Sequence, residues 1–151
     1  MNTESTLKAR ALRYLARREH SRLELEQKLA SDTQSVSLVL SGLLDKLEQK
    51  GLLSAERFVE QMVRTHRPKF GSQRIVYELK QKGINEHLIA NVLPELKETE
   101  LAVAYEVWRK KFGTLPINVK EHSKQMRFMM SRGFSSQIIR QVLQHAEQEE
   151  A

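Results

Sequence analysis

The chain has 151 residues, 40% hydrophobic and 29% charged, a balance that supplies a buried core and excludes disorder throughout. It has no cysteine, which excludes disulfides and thiolate metal sites. Its net charge of +6 favours an acidic partner, nucleic acid or a nucleoprotein assembly ahead of an anionic membrane.

Only 3 Pro and 6 Gly interrupt stretches rich in Leu, Glu, Gln, Lys and Arg, all good helix formers, so the chain reads as all-α. The opening Met1-Asn2-Thr3-Glu4-Ser5-Thr6 is polar and lacks the basic and apolar regions of a secretory signal. No apolar run approaches membrane-spanning length, so the cytosol is the expected compartment and no membrane partner is expected. Ser21 followed by Glu24 is a capping box that starts a helix. Val36, Val39, Leu40, Leu43, Leu44 and Leu47 form one apolar stripe at helical spacing. Gly51, Gly83 and Gly133 each follow a basic residue and precede an apolar one, as expected where a left-handed residue ends a helix. Ser54, Asn85 and Ser135 are positioned to cap the helices that follow. Pro94 is expected to kink or restart a helix.

The chain also resembles itself. Lys82-Gly83-Ile84-Asn85 with Leu88, Ile89, Val92 and Leu93 returns as Arg132-Gly133-Phe134-Ser135 with Ile138, Ile139, Val142 and Leu143, an offset of 50 residues. At the same offset, Leu25, Leu29, Leu38 and Val39 fall opposite Ile75, Leu79, Leu88 and Ile89. Three three-helix units follow, over residues 1–53, 54–96 and 97–151, each too small to bury its apolar face alone, so an elongated array is expected. Lys69-Phe70-Gly71 and Lys111-Phe112-Gly113 share a motif but not the offset, and Leu115-Pro116-Ile117 are extra residues that read as a longer loop. Nothing in the pattern demands a dimer, and a monomer is expected.

Charge is concentrated along each repeat. Residues 8–22 carry six Lys or Arg against one acid, residues 61–85 six against one, and residues 107–140 eight against one. Basic faces at equivalent places in successive repeats would track a polyanion, although ordinary solvated helix faces give the same composition. The aromatic residues, including Tyr14, Phe58, Phe112, Phe128 and Phe134, sit among apolar neighbours and read as core, with Tyr77 and Trp108 the least decided. Catalytic constellations are missing from the sequence: no His-Glu-x-x-His, no Gly-x-Ser-x-Gly and no Walker loop. His20 and Glu24, four apart, read as a surface contact rather than a metal site. Glu56 and Glu60 read as solvent-facing. A binding protein with no catalytic, cofactor or metal site is expected.

Arg18-Glu19-His20-Ser21 with Glu24-Leu25 and Lys28-Leu29 resembles the opening signature of the RecX regulatory family. Gly71-Ser72-Gln73-Arg74-Ile75-Val76-Tyr77-Glu78-Leu79-Lys80-Gln81-Lys82-Gly83-Ile84 is similar to that family's central motif. Arg127-Phe128 with Ser131-Arg132-Gly133-Phe134 is similar to its C-terminal one. The resemblance implies nine helices in three tandem units that bind the RecA filament on DNA, lie along its groove, and restrain its extension, ATPase, strand exchange and coprotease activity. The partners it implies are RecA and single-stranded DNA, with double-stranded DNA a further candidate. The expected charge contacts are Arg64, Arg67, Lys69, Arg74, Lys80 and Lys82 in the middle repeat and Lys110, Lys111, Lys124 and Arg132 in the third. The alternative is a DNA-binding protein indifferent to RecA and to sequence, since no recognition helix stands out.

Overall fold

The computed structural model of the chain describes residues 3–30 and 37–150. Among the described residues there are eight helices: α1 Thr3–Arg17, α2 Arg22–Ala30, α3 Ser37–Gln49, α4 Ala55–His66, α5 Ser72–Gln81, α6 Glu86–Lys111, α7 Val119–Ser131 and α8 Ser136–Glu150. No strand occurs among the described residues, as the composition predicts. Eight rather than nine are counted because α6 runs through Pro94 instead of restarting there. Ile89, Leu96, Ala104 and Trp108 are all buried, so apolar packing on both sides of Pro94 holds one continuous helix against the cost of an interior proline.

Packing divides the chain into two compact units, Met1–Gln61 with Leu79–Asn85, and Met62–Glu78 with Glu86–Ala151. In the first unit, α1, α2 and α3 close over Leu7, Ala11, Leu25, Leu29, Leu40, Leu43, Leu44 and Leu47. The predicted α3 stripe is that core, except for Val36, which lies outside the described residues. Polar ties join the same helices, with Lys46 Nζ 2.9 Å from Glu4 and Arg22 reaching both Asp45 and Glu48. The repeat comparison holds at Leu25 and Leu29 against Ile75 and Leu79, all buried, but Leu38 is 82% exposed. The second unit is built on α6, α7 and α8 around Ala104, Val107, Trp108, Met129, Phe134, Ile139, Val142 and Leu143.

The predicted serine caps and helix-ending glycines are in place. Ser21, Ser54 and Ser135 accept hydrogen bonds from the backbone N–H groups of Glu24, Arg57 and Ile138 at 3.1, 3.2 and 3.2 Å. Gly51, Gly83 and Gly133 have φ of 74°, 74° and 96°. Residues 112–118 form the expected longer loop, closed by Asn118, whose side-chain Oδ1 accepts from the Glu121 N–H at 2.8 Å.

Candidate functional site

The second unit gathers its charge around the turn between α4 and α5. Arg67 sits at the base of this turn, its side chain only 12% exposed. It donates to Glu100 at 2.7 Å, to Thr99 Oγ1 at 3.0 Å, to the Phe70 carbonyl at 3.4 Å and to the Leu96 carbonyl. Glu100, itself buried, also accepts from the Ser72 N–H at 3.1 Å and from the Ser72 hydroxyl. The start of α5 is thereby tied to α6, and the five residues 67–71 are held in one path. Arg67 is committed inward.

The turn is fixed again at its far end. The N–H of Gly71 donates to the Arg132 carbonyl at 2.7 Å, and that of Gln73 to the Gly133 carbonyl at 3.2 Å. A side chain at Gly71 would overlap the Gly133 carbonyl, and one at Gly133 would sit 2.7 Å from the Arg74 backbone nitrogen. Two glycines are therefore required for the α4–α5 and α7–α8 turns to touch through their backbones.

This contact brings Phe70 beside Arg132. The guanidinium carbons of Arg74 and Arg132 lie 4.1 and 5.3 Å from the Phe70 ring centre. Arg132 also lies 5.0 Å from the ring of Phe128, which carries Lys111 Nζ at 5.2 Å and meets Phe112 edge-on at 5.4 Å. Cations and rings thus alternate as Arg74, Phe70, Arg132, Phe128 and Lys111, each cation drawn to the negative face of a ring. Beside them, Pro68, Lys69, Val107, Lys110, Lys111, Phe128 and Arg132 line a hollow of about 310 Å³ in which no lining residue is acidic.

Of the ten expected charge contacts, Lys69, Arg74, Lys110, Lys111 and Arg132 come together here. Arg74 is partly spent, on Glu78 at 3.2 Å and on the Ser131 carbonyl at 3.2 Å. Lys69, Lys110, Lys111 and Arg132 have no carboxylate partner among the described residues. Arg64 and Lys124 are exposed on α4 and α7, also within this unit but not lining the hollow. Lys80 and Lys82 belong to the other unit, where Lys82 reaches Glu24 at 3.3 Å.

Glu24 corrects the expectation of a surface contact with His20. Both are buried, because Glu24 accepts two bonds from Arg18, at 2.5 and 3.0 Å, as well as the Lys82 contact. Burial pushes the Glu24 carboxyl up, but the Arg18 hydrogen bonds and the charges of Arg18 and Lys82 outweigh it and hold the group at about 2. His20 lies with Nδ1 3.0 Å from the Arg18 carbonyl and Nε2 2.9 Å from Lys28 Nζ, and burial pushes its pKa below the ordinary histidine value. Glu56 and Glu60 face solvent as expected. Trp108 is core, donating to Gln125 at 2.8 Å, whereas Tyr77 is 62% exposed. Sequence reasoning missed the pairing of Phe70 and Phe128 with arginines, and also Arg10, Arg13 and Arg17, which line a hollow with Tyr14 on α1. Their spacing of three and four residues was the available signal.

Among the described residues no group of three or more His, Asp or Glu is placed to hold a metal, and no helix is long and apolar enough to cross a membrane. Three family models match the chain in order: RecX first three-helix domain over residues 8–32, second over 56–93 and third over 98–143. The chain belongs to the RecX family. Proteins named regulatory protein RecX from Leptothrix cholodnii and Herbaspirillum seropedicae are 44% and 45% identical to it, over 95% and 93% of this chain and 91% of each relative. The crystal structure of RecX from Lactobacillus salivarius shares the fold, with a TM-score of 0.77 at 21% identity, covering 95% of this chain and 96% of that one. The second RecX domain match spans α4, α5 and the start of α6, and the third spans the rest of α6 with α7 and the first half of α8.

Proposed function

We propose that this RecX-family chain is a regulator without catalytic activity of its own, which binds the RecA nucleoprotein filament as a cytosolic monomer and restrains its extension, ATPase, strand exchange and coprotease activity. One observation carries the reading beyond family membership: Lys69, Lys110, Lys111 and Arg132 converge on an acid-free hollow. Such a face meets a polyanionic surface and gains affinity from the counterions it displaces. It also suits a filament that presents phosphates and protein together. Arg67 acts through the turn it holds rather than by contact. Arg64, Lys80, Lys82 and Lys124 remain contacts of lesser weight, available along the same filament.

The test is single-stranded-DNA-dependent ATP hydrolysis by the cognate RecA with the chain titrated in, beside its binding to the same DNA alone. Inhibition well below the concentration that coats bare DNA is expected. Inhibition only once the DNA is covered would reduce the chain to a nonspecific competitor and overturn filament regulation.

A further inference from the structure

The hollow of the second unit contains one side chain built differently from the others. Arg132 is half-buried, and its guanidinium is held by two rings, 5.3 Å from the centre of Phe70 and 5.0 Å from that of Phe128. Its backbone closes α7 and accepts the Gly71 N–H, so the residue is anchored at both ends. The side-chain donors have no acceptor among the described residues, whereas Arg67 and Arg74, on either side of the same turn, spend theirs on Glu100 and Glu78. A guanidinium held by ring contacts has its planar fork pre-organised and loses little freedom on binding. That fork matches two oxygens of one tetrahedral or planar anion.

We propose that Arg132 reads a backbone phosphodiester of single-stranded DNA, with Phe70 and Phe128 as positioning residues and Lys69, Lys110 and Lys111 neutralising neighbouring phosphates. The proposal rests on the filament-binding reading above and names the ligand of its principal site. A run of phosphates fits better than an acidic protein segment, because four cations share a hollow with no acidic wall and need several anions at close spacing. The rings are engaged by cations, so they hold the arginine rather than stack on bases, and recognition is indifferent to sequence.

The experiment uses the full chain and two oligothymidylates of equal length, one with ordinary linkages and one with uncharged methylphosphonate linkages, read by fluorescence anisotropy. Arg132→Lys keeps the charge and loses the fork. It should weaken binding to ordinary DNA by roughly 5- to 10-fold, the range of a lost bidentate contact. It should leave the weak binding to methylphosphonate DNA unchanged. Arg132→Ala should also lower the salt slope by about 0.7, the value for one single-strand phosphate. Phe128→Leu, which keeps every charge, should lose several-fold affinity with the slope intact. Unchanged far-UV circular dichroism and urea midpoint establish that each variant is folded, and Arg132→Lys leaves both rings themselves in place should Phe128→Leu fail that check.

DNA binding by Arg132→Lys equal to that of the parent chain would overturn the assignment. Unchanged DNA binding with weakened binding to DNA-free RecA would reassign the hollow to carboxylates and leave the regulatory reading standing. Displacement of DNA by ATP far below the concentration needed of inorganic phosphate would reassign it to a free nucleotide, again overturning the proposal. Arg132-dependent DNA binding without inhibition of the RecA ATPase would sink the regulatory reading alone.

Discussion

Replacing Arg67 by Met tests whether the α4–α5 turn is held by a buried charge. Glu100 is 5% exposed and, among the described residues, accepts from Arg67 and Ser72 alone. Without the guanidinium, a carboxylate stays in the core with the Ser72 N–H and hydroxyl as its remaining donors, and the Leu96 carbonyl and Thr99 hydroxyl lose their Arg67 contacts. Removing one partner of a buried pair costs about 3–5 kcal/mol because the other charge is left uncompensated. With several hydrogen bonds lost as well, about 4 kcal/mol is expected, which for a chain of this size lowers Tm by roughly 8–16 °C. The single tryptophan, Trp108, is buried in the core of the same unit and reports on it directly during urea unfolding. Arg67→Met with Glu100→Gln should regain about half of the loss, since Gln still accepts from Ser72 and no bare charge remains. A loss under about 1 kcal/mol for the single variant, or no recovery in the double, would refute the buried-charge argument.

Acid titration should expose the Arg18–Glu24–Lys82 cluster. Glu24 titrates at about 2 in the fold against 4.5 ordinarily, so its stabilisation is complete above 4.5 and is lost as pH falls from there through about 2. Glu24→Gln should flatten that slope in urea midpoints followed by circular dichroism. His20 adds an earlier loss, because burial lowers its folded pKa below 6.5; the unfolded chain gains its proton first, and stability declines as pH drops through 6.5 until the folded value is passed. Gly71→Ala should destabilise the second unit by more than about 2 kcal/mol, since the new methyl meets a backbone carbonyl that cannot rotate away; a change under about 0.5 kcal/mol would show that the turns can separate without cost. Reversing Lys110 and Lys111 to Glu should weaken filament binding by more than 10-fold while the Trp108 unfolding transition stays in place; equal loss on bare DNA would favour DNA binding indifferent to RecA.

The helices were legible because their signals are local. Ser54 and Ser135 bond to the backbone three residues on, and Gly51, Gly83 and Gly133 adopt the left-handed conformation their sequence context predicts. Pro94 starts no new helix because its local cost is outweighed by packing from Ile89 to Trp108, which no window around the proline contains. The same limit governs the site. The basic windows contain the segments that meet around Phe70 and Phe128, but sequence could not distinguish Arg67, which turns inward to Glu100, from Arg132, which remains unspent. Their separation depends on partners 33 residues away for Arg67 and 62 away for the Phe70 that meets Arg132. His20 and Glu24 failed for a related reason. Four residues apart on a charged stretch they resemble a surface pair, and only Arg18 and Lys82 closing over Glu24 allow them to be buried.

Four acids of the second unit are spent on partners that do not line its hollow, apart from Arg74 beside it. Glu78 is taken by His66 and Arg74, Glu100 by Arg67 and Ser72, Glu106 by Arg109, and Glu149 by Tyr105 and His145. Residues 107–140 contain one acid, Glu121, in the first turn of α7, where it complements the helix dipole. Lys69, Lys110, Lys111 and Arg132 form no ion pair among the described residues, so their mutual repulsion, offset in part by the pull of Glu106 on Lys110, opposes folding of the unit. An anion that occupies the hollow binds the folded state alone, so it must stabilise that state by an amount that grows with the logarithm of its concentration, about 2.7 kcal/mol at 100 times its Kd. Short oligothymidylate should accordingly raise the urea midpoint read at Trp108, and chloride at matched ionic strength should raise it far less, because screening weakens repulsion without supplying a ligand. Equal shifts from both would mean that the four cations are merely screened and that the hollow selects no ligand.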